Sequence, residues 1–380
     1  MSTAIGSMEE RNPSLETSSN DEQLIDTLSQ SDIGSLYIFV MRGHWDFLRE
    51  FLRKINLEAA MSNGRLATFE KLKLSMNEMK KRNTVSFEGV MRSIKKLSLS
   101  LLTINNKAVY LLNIPSDYFA EIQGKLKGKD KKDAFHVVDT SENLTESNEN
   151  PVWIDYEGNY ACLFPSIKEA NKRVKLDPKN IPGMEMFDSL YGFETKKNQY
   201  IDCLIIKNNK AYLLIDVTDE DKADFCLEAK LKTLPRLKIE LDKLKKTQPI
   251  ETKDIFNVIE KVCIQSESPY KESNYSVHEM DFVSPELSRY SGSKSPNRPD
   301  IRNDAFNKAG LQKTKSSLIY YKVSFNFDRR HPVVGFPYKL IVGIPGTYKR
   351  AATGNGRVDY FLSNNFFTVD DFNLIEPLIF

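Results

Sequence analysis

Asp202 and Asp216 are the residues of this 380-residue chain whose spacing most directly suggests chemistry. They stand at the outer ends of two apolar, β-prone runs joined by Asn208-Asn209-Lys210. Metal-dependent nucleases place carboxylates this way, so that a bound divalent cation can activate water against a phosphodiester. Such sites usually add a lysine two residues after the second acid, where this chain has Thr218. The plainer reading, polar residues at strand ends, is favoured.

Other chemistry-bearing residues are scattered. His44, His136, His278 and His331 stand alone, outside any His-Glu-x-x-His pattern, and there is no Gly-x-Ser-x-Gly. Gly354-Asn355-Gly356 lacks the Lys-Ser/Thr of a phosphate loop and reads as a turn. Cys162, Cys203, Cys226 and Cys263 have no zinc-ligand spacing, and their low density fits a reducing compartment. The sequence therefore names no catalytic residue, no metal site and no cofactor.

Cations are better organised. Three segments read as amphipathic helices with an apolar stripe opposite basic residues. Residues 67–82 carry Lys73, Lys80 and Lys81, and residues 86–97 carry Arg92, Lys95 and Lys96. Residues 234–246 carry Arg236, Lys238, Lys243 and Lys245 around a seam of leucines. For any one helix this is an ordinary solvated face. Three together suggest contact with phosphates, which need only positive charge at loose spacing. The helices lack exposed aromatics interleaved with the cations, the mark of a single-strand stacking platform. A net charge of +2 means that any nucleic-acid surface is a local patch.

The elements that would position these residues form an α+β pattern. Asn-Asn-Lys occurs twice, in LSLLTINNKAVYLLNI at 99–114 and IDCLIIKNNKAYLLIDV at 201–217. Each copy reads as a hairpin preceded by a helix, which suggests repeated helix-plus-β-hairpin units. Residues 1–30 are polar and read as a disordered tail. A first α+β unit with N-terminal helices is expected over 31–180 and a second over 181–264. Residues 225–231 read as a strand, 265–317 as a flexible insertion, and 318–369 as β segments completing the second domain. An acidic and apolar arm, 370–380, ends the chain. No run approaches the ~18 apolar residues of a membrane span. A soluble, intracellular protein without a membrane partner is expected.

The stretches MEMFDSLYGFE, YIDCLIIKNNKAYLLIDV and ADFCLEAKLKTL, with VSFEGVMRSIKKL before the first Asn-Asn-Lys, resemble the repeated unit of DNA sliding clamps. YKLI at 338–341 and GRVDYFLS at 356–363 are similar to a clamp's closing strands. The resemblance implies antiparallel sheets and basic helices lining a homo-oligomeric ring. It also implies sequence-independent duplex binding, service to a polymerase or other replication protein, and a viral source. Residues 1–80 and the 265–317 insertion have no clamp counterpart. The terminal arm, with Phe372, Leu374, Ile375, Leu378, Ile379 and Phe380 among acids, resembles peptides that dock on clamps and the tails of single-strand DNA-binding proteins. The plainer reading, an arm packed on the body or a neighbouring subunit, is favoured. Two other functions stay open: an oligomeric viral or mobile-element protein that binds single-stranded nucleic acid, and a metal-dependent nuclease or defence protein.

Overall fold

The fold comes from a computed structural model. It describes residues 27–379 except 83–84, 142–143, 145–148, 185, 218–222, 244–249, 266–267, 306, 310–317, 333 and 355. Four helices come first: α1 (Gln30–Arg42), α2 (Trp45–Lys54), α3 (Arg65–Lys81) and α4 (Val85–Thr103). The sheet strands are β1 (Lys107–Asn113), β2 (Val152–Tyr156), β3 (Asn159–Leu176), β4 (Leu190–Lys207), β5 (Lys210–Asp216), β6 (Glu251–Thr252), β7 (Ser276–Val283), β8 (Arg289–Ser293), β9 (Ile319–Arg330), β10 (Pro337–Ile344) and β11 (Phe361–Asn364). Between them lie α5 (Ser116–Leu126), α6 (Ala223–Asp242), α7 (Phe256–Ile264) and α8 (Tyr348–Ala352); α9 (Val369–Ile379) follows β11.

The α+β class holds. One antiparallel sheet runs β2-β3-β4-β5-β1-β11-β10-β9-β7-β8, and β6 pairs with the end of β1. Its central strands are nearly continuous apolar runs because helices cover both faces there. Residues 201, 203 and 205 of β4 and 212 and 214 of β5 face the larger core, beneath α1 to α4, α7 and α9. Residues 204 and 206 of β4 and 211, 213 and 215 of β5 face the smaller core, beneath α5 and α6.

Several expectations are corrected. The two Asn-Asn-Lys segments are not equivalent. Residues 99–103 belong to α4, so 85–126 is helix–strand–helix, whereas 190–242 is strand–strand–helix. The leucines after Leu97 continue the buried stripe of α4, with Leu101 and Leu102 in the core. Asn208 and Asn209 both have positive φ, 48° and 58°, as a type I′ hairpin turn requires; in the first copy only Asn106 does. The 225–231 segment is the start of α6, not a strand: Cys226, Ala229, Lys230 and Thr233 are buried at helical spacing. Within the expected flexible insertion, β7 joins the sheet beside β9. A register shift between Val277 and Glu279 breaks its period-two pattern and hid it from the sequence. Residues 27–42, partly assigned to the tail, start α1, whose N-terminus is closed by reciprocal Ser29 and Asp32 hydrogen bonds.

Candidate nucleic-acid interface

The acid pair is structural. Side chains alternate along a strand. Asp202 therefore points to the smaller core and Asp216 to the larger one, on opposite faces of the sheet. Asp202 accepts from Thr233 of α6 at 2.5 Å and from the Asp216 backbone N–H at 2.9 Å. Asp216 accepts two hydrogen bonds from Arg42 of α1, at 2.7 and 3.0 Å, and one from the Ile201 N–H at 2.9 Å. Lys107, fully buried and opposite Asp216 in the β1–β5 register, lies 3.1 Å from the same carboxylate. Burial raises the Asp202 carboxyl above the usual range. Burial works the same way on Asp216, but Arg42 and Lys107 outweigh it and hold that carboxyl low. Two sealed carboxylates on opposite faces cannot share a metal. Among the described residues no three His, Cys, Asp or Glu side chains form a possible metal cluster. Thr218 lies outside the described residues.

The basic helices do not share a surface. α3 and α4 cover the larger core and α6 the smaller one, on the other side of the sheet. Lys80 and Lys95 converge on Asp32, at 3.6 and 2.7 Å. Lys96 pairs with Glu157 at 3.5 Å, and Lys243 with Glu240. Arg236 donates to the Pro165 carbonyl at 3.0 Å, tying α6 to β3. Lys73 is half-buried, whereas Lys81, Arg92 and Lys238 are exposed. Lys245 lies outside the described residues. Asp32 and Glu157, distant in sequence from the lysines they pair with, are what the linear reading could not supply.

The C-terminal segment packs on the body, and the docking role expected for its apolar residues is corrected. α9 buries Phe372, Ile375, Leu378 and Ile379, while Leu374 is 36% exposed. Phe372 packs edge-on against Tyr212 at 4.9 Å, and Tyr270 donates to the Leu378 carbonyl at 2.7 Å. Glu376 pairs with Lys210 at 2.9 Å and Lys207 at 3.5 Å. The apolar residues recur at helical spacing and face the protein's own core, so these four are unavailable to a partner. Phe380 lies outside the described residues.

Sequence reasoning missed a projecting arm. β2 pairs with β3 only as far as Leu163, and β5 with β4 only from Cys203. Beyond these points β3 and β4 continue to Leu176 and Leu190 as a two-stranded ribbon, roughly 40 Å long at ~3.3 Å per residue. At its root the Lys168 amine sits 4.4 Å over Tyr200 and 4.5 Å over Phe225, which clamps the ribbon to α6. On the side continuous with the larger core, Phe193 is 76% and Tyr191 52% exposed. Arg173 stands opposite Phe193 in the register and Lys175 opposite Tyr191. Lys197, exposed, lies on the same side. Exposed aromatics at alternate positions of β4, with the exposed Lys175 and Lys197 on the same side, form the stacking pattern absent from the helices. The sequence signal is Tyr191-Gly192-Phe193, which stands where the sequence suggests a helix before the second hairpin.

A cleft of about 820 Å³ opens beside the start of α2, lined in part by His44, Asp46, Arg330, Phe336 and Lys339. Lys339 is paired with Asp328, and Arg329, also on the wall, lies 3.3 Å from Asp371. No nucleophile–base pair is formed there among the described residues.

No protein-family model matches the chain, and neither a curated protein nor a solved structure matches it. No helix among the described residues is long and apolar enough to cross a membrane.

Proposed function

We propose that this chain binds single-stranded nucleic acid without sequence preference, using the β3–β4 arm. One observation carries the reading: Phe193 and Tyr191 lie exposed on one side of a projecting ribbon, with Arg173 and Lys175 opposite them in register. Bases stack on aromatic faces whatever their identity, and nearby cations hold the phosphates. The sealed Asp202 and Asp216, on opposite faces of the sheet, give the nuclease alternative no support. The clamp-like expectation shares sequence-independent binding but requires duplex DNA.

Fluorescence anisotropy with labelled single-stranded DNA, single-stranded RNA and duplex separates these readings. Single strands should bind best. Phe193→Ala and Tyr191→Ala should each weaken binding about 5- to 150-fold, the range for losing one stacked base. Lys175→Glu and Lys197→Glu should each flatten the salt dependence by about 0.7 of a log unit per log unit of salt. Unchanged binding by the double aromatic variant, or a preference for duplex, refutes the proposal.

A further inference from the structure

The cleft beside α2 opens next to the root of the arm. Arg42 ends α1 and reaches the arm: its guanidinium donates to Asp216 at 2.7 Å and to the Gln199 carbonyl of β4 at 3.5 Å. His44, two residues on and so within about 7 Å along the backbone, lines the cleft. The corner between them is fixed. Arg65 of α3 donates to the Gly43 carbonyl at 2.8 Å, and a Cβ on Gly43 would collide with the Phe39 carbonyl oxygen, so only glycine fits where α1 stops.

The cleft and the exposed rings also share one side of the sheet. Alternate side chains of β4, from Cys203 back through Gln199 and Lys197 to Phe193 and Tyr191, lie on the side of the larger core. α2 stands on that side too, with Phe47 and Phe51 in the same core. Phe193 is about 20 Å from Gln199 along the ribbon. We propose, resting on single-strand binding by the arm, that the cleft is the second part of one track: a strand stacked on Phe193 and Tyr191 passes the Arg42–His44 corner and places a further base in the cleft.

The lining suits a nucleotide. Phe336, half-buried, and His44, exposed, bring their rings to 6.4 Å at a tilt of 39°, two planar faces against which a base can lie. The charges favour a phosphate. Asp328 is held by Lys339, and Asp46 lies 3.7 Å from Arg49, whereas Arg330 is exposed and makes no ion pair among the described residues. At about 820 Å³ the space is in the range of small-ligand pockets. A free nucleotide offers the same base and phosphate, so the length of the ligand separates it from a strand.

Fluorescence anisotropy with labelled oligothymidylates of about 4, 8 and 12 nucleotides, at one salt concentration, reads the track. Affinity should rise from the shortest to the longest by about 5- to 150-fold, the range for one further stacked base. Arg330→Glu and Phe336→Ala should each remove most of that rise and leave binding of the shortest oligomer unchanged, whereas Phe193→Ala should weaken every length. Arg330 is exposed, so its variant decides the question even if Phe336→Ala fails to fold. No rise with length, a rise that survives Arg330→Glu, or an Arg330→Glu loss equal at every length overturns the inference while binding by the arm stands. Thymidine monophosphate bound in an Arg330-dependent way, without a rise with length, overturns it too and assigns the cleft to a free nucleotide. A chain that binds no oligomer overturns both readings.

Discussion

Replacing Asp216 by Asn tests whether the acid pair is structural. The substitution keeps the side chain's size and its acceptor for the Ile201 N–H, but removes the charge that faces Lys107 and Arg42. Lys107 is fully buried and keeps the Ile201 carbonyl at 2.8 Å as its hydrogen-bond acceptor, with the Asp202 carboxyl farther off. Arg42 is better placed, since its side chain is 21% exposed and reaches water. Removing one partner of a buried ion pair typically costs about 3–5 kcal/mol. The retained hydrogen bonds put the expected loss near ~3 kcal/mol. Pairing the change with Lys107→Met should recover much of it, because the buried cation is removed with its partner. Urea unfolding followed by circular dichroism reads both variants. A single-variant loss below ~1 kcal/mol would mean that Lys107 is hydrated, and the buried network would be wrong.

Two further outcomes follow from the same packing. Burial pushes the His331 imidazole down to about 4, among Phe47 and Phe367. The unfolded chain then binds the proton more tightly, so stability is full above the ordinary histidine value near 6.5 and falls as pH drops from there towards 4, by roughly 2 kcal/mol. Urea midpoints at both ends should show this fall, and His331→Phe should remove much of it. Deleting 371–380 removes Phe372, Ile375, Leu378 and Ile379 from the core; the truncated chain should lose its cooperative melt, and a normal melt with altered assembly would restore the docking role.

The sequence carried the fold class and most helix and strand positions where a single periodicity ran uninterrupted. β9 was legible because Tyr321, Val323, Phe325 and Phe327 alternate with polar residues, and β10 because its short apolar run is β-prone. α3 was legible from Phe69, Leu72 and Met76. Failures cluster where a local signal serves two structures. An Asn-Asn-Lys can close a hairpin or end a helix, and the choice depends on whether the apolar run before it has a strand to pair with. The Leu97–Leu102 run has helical neighbours on α1, whereas Ile201–Ile206 lies between β3 and β5.

The candidate site failed to show for a different reason. A basic stripe records where charge is, but its meaning depends on which acids fold against it. Asp32 captures Lys80 and Lys95 from two helices, an arrangement set by packing between segments about 50 residues or more apart. Lys175 and Lys197 on the arm make no ion pair among the described residues, although Glu169 stands opposite Lys197 in the register. Exposed aromatics on this ribbon lose contact with water only when something else covers them. Among the described residues, most of the exposed large apolar side chains lie on the arm and on the outer side of α6 beside it.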